Sequence, residues 1–224
     1  MSAALFWDID GTLLTTGRAG MFAFEEAVEE VCGVPADLGQ LVTSGLTDAE
    51  VATLILNTVG QEATPERADA LLHAYETRLP ASLPRRQGRV LPGVREVLED
   101  LEARTGVHSY LLTGNTPAGA RAKLAHYSLD RFFPDGSGAF CIDHESRTDI
   151  ARRALRLVEG DTRLFVIGDT PADIACGKAI GAETVAVATG WHSLDELAAC
   201  EPALLLEEIP DPTRFRELLD LRDG

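Results

Sequence analysis

The sequence predicts an α/β protein built on a parallel sheet. Short, almost continuously apolar runs at 3–7 and 164–167 have the composition of strands that are buried on both faces. From about residue 92 onward, such runs alternate with longer segments of helical periodicity, which is the pattern of a sheet covered by helices. Residues 15–88 show helical patterns and no convincing strand, so we expect an all-helical insert there.

The first strand is predicted at 3–9 and closes with the turn that begins at Asp8. The insert then holds helices at about 20–32, 47–59 and 64–79. Thr47 and Glu50 form a capping-box pattern, and Thr64 followed by Pro65 is typical of a helix start. Residues 83–88 are polar and turn-rich and lead back to the core. We therefore expect a core of residues 1–14 and 89–224 and a helical domain of residues 15–88.

Strands and helices alternate through the rest of the chain. Strands are predicted at 107–112, 139–142, 163–167 and 184–187, with an edge strand at 203–206. Helices are predicted at 92–104, 116–127, 147–158, 170–180, 194–199 and 212–221.

Composition restricts the possible partners. The chain of 224 residues has 36 acidic and 20 basic residues and a formal net charge of −16, which argues against a nucleic-acid backbone or an anionic membrane as partner. No apolar run approaches a membrane span, and no signal-peptide pattern is visible. The four cysteines are far apart without a C-x-x-C pair, as in reduced proteins. We expect a cytoplasmic, soluble monomer or homodimer.

Polar residues suited to phosphate chemistry follow three of the predicted strands. The first is followed by Asp8 and Asp10, the second by 113–115, and the fourth by 168–173, which includes Asp169 and Asp173. The segment 143–147 follows the third strand. Because ligands of parallel sheets bind at the carboxyl ends of the strands, these residues are expected to converge on one edge.

These motifs resemble those of the haloacid dehalogenase superfamily. Residues 8–12 match its first motif, Thr113 its second and 168–173 its fourth, and the likeness is nearest to the phosphoglycolate phosphatase-like branch. The resemblance implies a Rossmann-like three-layer α/β/α core with strand order 5-4-1-2-3. It also implies that residues 15–88 are the helical cap that this family inserts after its first strand.

The resemblance further implies a set of catalytic roles. Asp8 is expected to attack phosphorus and form an aspartyl-phosphate, and Asp10 to act as general acid and then general base. The expected cofactor is Mg²⁺, a hard cation that prefers oxygen ligands. Asp8, the backbone carbonyl of Asp10, and Asp169 are expected to bind it, with Asp173 joining directly or through water.

Phosphoryl oxygens are expected to be bound by the Thr113 hydroxyl and the Gly114 amide. The basic residue of the family's third motif is usually a lysine before a proline, and this pattern is absent here. Arg147 stands at that place, and Lys123, on the helix after Thr113, is the other candidate; both remain open. The further residues expected to contact the substrate are Gly11, Thr12, Asn115 and Arg18.

The function predicted from these residues is a Mg²⁺-dependent phosphatase for a small phosphomonoester, either phosphoglycolate-like or a sugar phosphate. A β-phosphoglucomutase-like phosphomutase is an alternative, because the same motifs serve both reactions. A non-catalytic receiver-like module that binds Mg²⁺ and phosphate is a third. Asp10 argues against a dehalogenase, and the absence of lysine from residues 15–88 argues against a phosphonatase.

Overall fold

A parallel sheet forms the centre of the protein in a computed structural model that describes residues 2–221. Within these residues the sheet has six strands, in the spatial order β5 (Gly138–Ala139), β4 (Val107–Leu112), β1 (Ser2–Trp7), β6 (Thr162–Gly168), β7 (Glu183–Val187) and β8 (Leu204–Leu206). Numbered along the chain and read from β7 back to β5, these strands give the order 5-4-1-2-3. The predicted fold class and strand order are therefore confirmed, and β8 is the expected edge strand beside β7.

Helices cover both faces of the sheet. They are α4 (Val94–Glu102), α5 (Pro117–His126), α6 (Arg147–Ala154), α7 (Pro171–Ala179), α8 (Leu194–Ala198) and α9 (Pro212–Leu218). Hydroxyl side chains fix where several of them start: Thr116, Ser146 and Thr170 each accept a hydrogen bond from the backbone N–H three residues on. None of the helices in residues 2–221 is long and apolar enough to cross a membrane.

Strand β1 separates two apolar cores by simple alternation of its side chains. Leu5 and Trp7 belong to the cluster packed against α4 and α9, whereas Ala4 and Phe6 belong to the cluster packed against α6 and α7. Trp7 is fully buried and stacks on Phe215 of α9, with ring centroids 5.7 Å apart. The strand that carries Asp8 at its end is thereby held from both sides.

Three further helices lie between β1 and α4: α1 (Ala19–Cys32), α2 (Asp48–Thr58) and α3 (Pro65–Ser82). They form an apolar cluster of their own, in which Phe24 and Tyr75 stack with centroids 4.0 Å apart. We call residues 15–88 the helical insert. The predicted capping box of Thr47 and Glu50 is present at the start of α2, and Thr64 caps α3.

A two-stranded antiparallel ribbon, which the sequence analysis did not predict, joins the two ends of the helical insert. Strand β2 (Leu14–Thr15) pairs with β3 (Arg89–Val90). Each strand has two residues, too few to show a strand periodicity. The ribbon is closely packed, because a Cβ on Gly88 would overlap the carbonyl oxygen of Thr15 and the hydroxyl of Tyr127.

Some predicted boundaries were wrong. Strand β5 ends at Ala139 instead of 142, because the next backbone groups bind elsewhere: the Phe140 carbonyl accepts from Arg153, and the Cys141 N–H donates to the Asn115 carbonyl. Helix α6 ends at Ala154 and continues as a 3₁₀ turn over 155–157. A 3₁₀ turn also covers 83–85, and α9 ends at 218 instead of 221.

The stacking of Trp7 on Phe215 yields a test of the core. Phe215→Ala should lower the free energy of unfolding by about 3–5 kcal/mol, the usual cost of deleting a buried aromatic ring. Leu155→Ala is the control, since Leu155 is 38% exposed and should cost under about 1 kcal/mol. Urea denaturation followed by circular dichroism measures both changes, and equal losses would contradict the packing described.

Candidate active site

Three carboxylates meet at the carboxyl ends of the two central strands. Asp8 follows β1 and Asp169 follows β6, and the strands are adjacent and in register at Trp7 and Ile167. Asp173 reaches the same place from the first turn of α7. Each of the three aspartates is buried, and one oxygen from each lies within 4.8 Å of the others. We call these three residues the aspartate triad.

Neighbouring loops hold Asp169 at close range. Gly11 adopts a φ of 88°, and a Cβ on it would overlap the Asp169 carboxylate, as would a Cβ on Gly190. The Thr12 hydroxyl donates to Asp169 Oδ1 at 3.0 Å, and the Thr189 hydroxyl donates to the Gly11 carbonyl at 2.6 Å. The two glycines therefore bring the loops after β1 and β7 against one carboxylate.

Arg147 is the basic residue that contacts the aspartate triad. Its position at the start of α6 is set by Ser146, which caps the helix. The guanidinium lies 3.5 Å from Asp8 Oδ1 through Nη1 and forms an ion pair with Asp173 through Nη2. Asp173 is also held by the hydroxyl and the backbone N–H of Thr170, at 2.6 and 3.1 Å.

The three carboxyl groups of the aspartate triad are paired with the single positive charge of Arg147. Burial, with Asp173 adding to it, raises the pKa of Asp8 from 3.8 to about 7, although Arg147 opposes the shift. Burial and the charges of Asp173 and Asp8 also raise the pKa of Asp169 well above its usual range. Three buried carboxylates beside one guanidinium fit a site for a hard divalent cation, because such ions prefer carboxylate oxygens.

Asp10 belongs to a different group of side chains. Lys123 Nζ, from α5, donates to Asp10 Oδ2 at 2.5 Å and to Asn115 Oδ1 at 2.5 Å. The Asn115 amide donates to Asp10 Oδ2 at 2.9 Å and to the Thr113 hydroxyl at 2.8 Å. Burial acts to lower the pKa of Lys123, but the charges of Asp10 and Asp48 outweigh it and the pKa is raised.

The other expected site residues are distributed around these two groups. Gly114 lies beside the guanidinium of Arg147, since a Cβ on it would come within 2.9 Å of Nη1. Arg18 stands in the left-handed region before α1, with a φ of 68°, and its Nη2 donates to the Leu38 carbonyl at 3.0 Å. Of the two candidates for the third motif, Arg147 contacts Asp8, and Lys123 contacts Asp10.

The sequence analysis missed Asp48, the first residue of α2. Its backbone N–H donates to the Gly114 carbonyl at 2.8 Å, and its Oδ2 accepts from the Thr116 N–H at 2.7 Å. Burial raises the pKa of Asp48 to about 6, with Lys123 opposing the shift. The capping box at Thr47 located the helix start, but no local pattern shows that the next side chain turns to the loop after β4.

One cavity of about 510 Å³ connects these groups. Asp8, Asp10 and Asp169 line it from the core, and α1, α3 and the loop 39–46 line it from the helical insert. Tyr75 and Trp191 also line this cavity, and the sequence analysis identified neither. Tyr75 resembles a core residue of a helix in a single sequence, and Trp191 stands in a loop segment without a recognisable motif.

The comparisons with known proteins agree with this geometry. The family model of the haloacid dehalogenase-like hydrolases matches residues 3–181. The chain belongs to this family. The match spans β1 through α7 and therefore contains both the aspartate triad and the group around Asp10.

Two curated relatives of this hydrolase have phosphatase names. "Probable phosphatase IndB" of Dickeya dadantii is 27% identical over 212 residues, which cover 92% of this chain and 90% of the relative. "Phosphoglycolate phosphatase" of Pseudomonas syringae is 24% identical over 214 residues, which cover 92% and 76%. The family model shows that the chain is a haloacid dehalogenase-like hydrolase, and the names of both relatives describe phosphatases.

The solved structure of CbbY from Rhodobacter sphaeroides, in complex with phosphate, has the same fold as this hydrolase. The TM-score is 0.74 with 19% sequence identity, and the superposition covers 93% of this chain and 95% of CbbY. At this identity the likeness establishes the fold alone.

The raised pKa of Asp8 predicts how the stability of the metal-free hydrolase depends on pH. Between pH 4 and about 7 the folded protein keeps a proton that the unfolded chain has released. The free energy of unfolding should therefore fall with rising pH, by up to about 1.4 kcal/mol per pH unit for one proton. Asp8→Asn should flatten this slope in urea titrations with EDTA. An unchanged slope would contradict the shift.

The contacts of Asp48 predict a difference between two substitutions. Asp48→Ala leaves the buried Thr116 N–H without its acceptor and should lower the free energy of unfolding by about 1–3 kcal/mol. Asp48→Asn keeps an amide oxygen for that bond and should lose less. Chemical denaturation at pH 7 measures both variants, and equal destabilisation would argue against the hydrogen bond as the cause.

Proposed function

We propose that the protein is a Mg²⁺-dependent phosphatase that hydrolyses a small phosphomonoester through an aspartyl-phosphate. The observation that carries the proposal is the separation of two acidic groups in one cavity. The aspartate triad lies against Arg147, whereas Asp10 lies against Lys123. One group suits a cation and a nucleophile, and the other suits proton transfer. The phosphatase names of the relatives support the same reaction.

Asp8, Asp169 and Asp173 would hold Mg²⁺, together with the backbone carbonyl of Asp10. When bound, the cation neutralises charge on the phosphoryl group and allows an ionised carboxylate to approach it. The raised pKa values of Asp8 and Asp169 support this assignment, because a bound cation favours the ionised form that the metal-free site resists.

Asp8 is the proposed nucleophile. Its carboxylate oxygen forms a bond to phosphorus while the bond from phosphorus to the ester oxygen breaks. Arg147 orients Asp8 through Nη1 and neutralises charge beside it, which supports assigning the third-motif role to Arg147 instead of Lys123. The burial of both side chains keeps this pair in a fixed geometry.

Asp10 is the proposed general acid and base. It gives a proton to the leaving oxygen and later takes one from the water that attacks the aspartyl-phosphate. Its side chain is 40% exposed, so it reaches the cavity, whereas its partner Lys123 is almost fully buried. Lys123 and Asn115 hold the Asp10 carboxyl from behind, and the charge of Lys123 stabilises the carboxylate that remains after the proton has left.

Donors for the phosphoryl oxygens come from the loop after β4 and from helix ends. The Thr113 hydroxyl accepts from the Asn115 amide and donates to the Asp8 carboxylate, so it stands beside the proposed nucleophile, where a phosphoryl oxygen would be within its reach. The Gly114 amide would bind there as well. Gly11 and Thr12, which the sequence analysis expected to contact the substrate, are engaged elsewhere: the Gly11 N–H donates to the Leu14 carbonyl, and the fully buried Thr12 donates to Asp169. The N-termini of α5 and α7 add a favourable field for an anion.

The helical insert is the proposed cap of this site. Its side chains form one wall of the cavity, and Arg18 stands where the chain leaves the β2–β3 ribbon for α1. The ribbon ties both ends of the insert together, so a change of angle there moves the insert as one body. Closure excludes water and brings the insert against the substrate.

Substitution of the two acids tests the mechanism. Asp8→Asn should lower kcat by at least about 10⁴-fold, since the covalent nucleophile is lost. Asp10→Asn should lower it by about 10²–10⁴-fold, the usual contribution of a general acid. The assay follows phosphate release from p-nitrophenyl phosphate with and without MgCl₂. Full activity in Asp8→Asn would refute the covalent route, and activity with EDTA would refute the metal requirement.

Substitution of Arg147 tests its role. Arg147→Ala should lower kcat/KM by about 10²–10³-fold, because a preorganised charge at the reacting group is lost. Arg147→Lys should retain more activity, since it keeps the charge while losing the planar two-contact geometry. Arg152→Ala on the exposed side of α6 is the control. Equal activity in Arg147→Ala and the control would remove Arg147 from the site.

A further inference from the structure

We infer that the leaving alcohol of the substrate is uncharged and has an apolar body of several carbons, which binds against Trp191, Val42 and Leu46. This inference rests on the proposed phosphatase function and deepens it. It differs from both substrates predicted from the sequence, because the leaving group of phosphoglycolate is short and anionic and that of a sugar phosphate is rich in hydroxyl groups. Two features of the molecule support it: exposed apolar side chains line the cavity, and the cations of the cavity already bond to protein groups.

Exposed apolar surface is concentrated at the active-site cavity. Within residues 2–221 the large hydrophobic side chains that remain exposed are Val42, Leu46, Ile142, Leu155 and Trp191. Three of these five line the cavity that contains Asp8, and Trp191 and Val42 are 74% and 71% exposed. Single exposed hydrophobic residues are ordinary, but a cluster at one site indicates a binding surface.

Trp191 is exposed on a backbone that is fixed on both sides. The Ala188 N–H donates to the Leu206 carbonyl at 2.9 Å, and the Thr189 hydroxyl binds the Gly11 carbonyl. Gly190 lies against the Asp169 carboxylate, and Ser193 starts α8 with a capping box. An ordered loop therefore presents the indole to the cavity that Asp8 and Asp169 also line.

The wall opposite the core carries apolar side chains among polar ones. The helical insert contributes Met21, Phe24, Leu41, Val42 and Leu46 to the cavity. With a volume of about 510 Å³, the cavity is in the range that holds ligands much larger than a two-carbon acid. A molecule that places its phosphate at Asp8 therefore meets apolar surface along part of its body.

The cations that line the cavity already have protein partners. Lys123 binds Asp10 and Asn115, Arg147 binds Asp8 and Asp173, and Arg18 donates to the Leu38 carbonyl. The buried carboxyl of Asp48 and the overall charge of −16 add repulsion. A second phosphate or a carboxylate on the leaving group would find Lys123 and Arg147 already paired with carboxylates and, within the described residues, only Arg18 without one, so an uncharged leaving group is favoured.

A series of straight-chain alkyl phosphates tests the inference. Ethyl, butyl, hexyl and octyl phosphate have leaving alcohols of similar chemistry, so differences in kcat/KM report binding of the chain. With MgCl₂ present, kcat/KM should rise by up to about fourfold for each methylene that becomes buried. Hexyl phosphate should exceed phosphoglycolate. Trp191→Ala should flatten the rise, whereas Leu155→Ala, which changes an exposed leucine outside the cavity, should keep it.

Tryptophan fluorescence gives a reading that does not need turnover. The chain has two tryptophans, and Trp7 is buried in the core, so changes on ligand binding report Trp191. Titration with butyl-, hexyl- and octylphosphonate, which cannot be hydrolysed, should shift the emission to the blue. The affinity should increase with chain length.

The outcomes separate this inference from the proposed function. If no phosphomonoester is hydrolysed, p-nitrophenyl phosphate included, the proposed function fails and the phosphonate titrations decide the inference alone. Preference for phosphoglycolate over hexyl phosphate would overturn the inference while supporting the phosphatase. The inference would also be overturned if phosphonate affinity did not depend on chain length. The same holds if Trp191→Ala lowered kcat/KM by the same factor for every alkyl phosphate.

Discussion

Unbalanced negative charge at the edge of the sheet is the constraint on which the site depends. Asp8, Asp169 and Asp173 are buried together beside a single guanidinium. The packed strands behind them hold the three carboxylates close together against their mutual repulsion. Gly11 and Gly190 permit loops to approach within contact of Asp169. The fold thus stores an electrostatic strain that the proposed cation would relieve, and this would link the stability of the core to binding.

The two acids of the first motif are proposed for opposite tasks, and their surroundings differ in a way that fits this division. Asp8 is enclosed among other carboxylates, whereas Asp10, two residues later, faces the cavity and is held by Lys123 and Asn115. The division follows from the turn after β1, which sends consecutive carboxylates to different neighbours. Environments that differ in this way are how one site obtains both a nucleophile and a proton donor.

Sequence reasoning predicted the parts of this protein that are encoded locally. Strand composition, capping residues such as Thr116 and Thr170, and the polar ends of the strands identified the sheet and its functional edge. The β2–β3 ribbon was missed because two-residue strands have no periodicity, and β5 was placed too late because Asn115 and Arg153 take the backbone groups that would extend it. The orientations of Asp48 and Trp191 depend on tertiary contacts, which no spacing in one sequence records.

The hydrogen bonds of Asp48 couple the position of the helical insert to the conformation of the loop after β4. Helix α2 holds the carbonyl of Gly114 and the N–H of Thr116, so the loop that faces the phosphate and the insert share one set of bonds. A coupling free energy acts equally in both directions. An anion that orders this loop would therefore also favour the docked position of α2. By the same coupling, a docked α2 would slow the release of the inorganic phosphate that the proposed reaction leaves in the site.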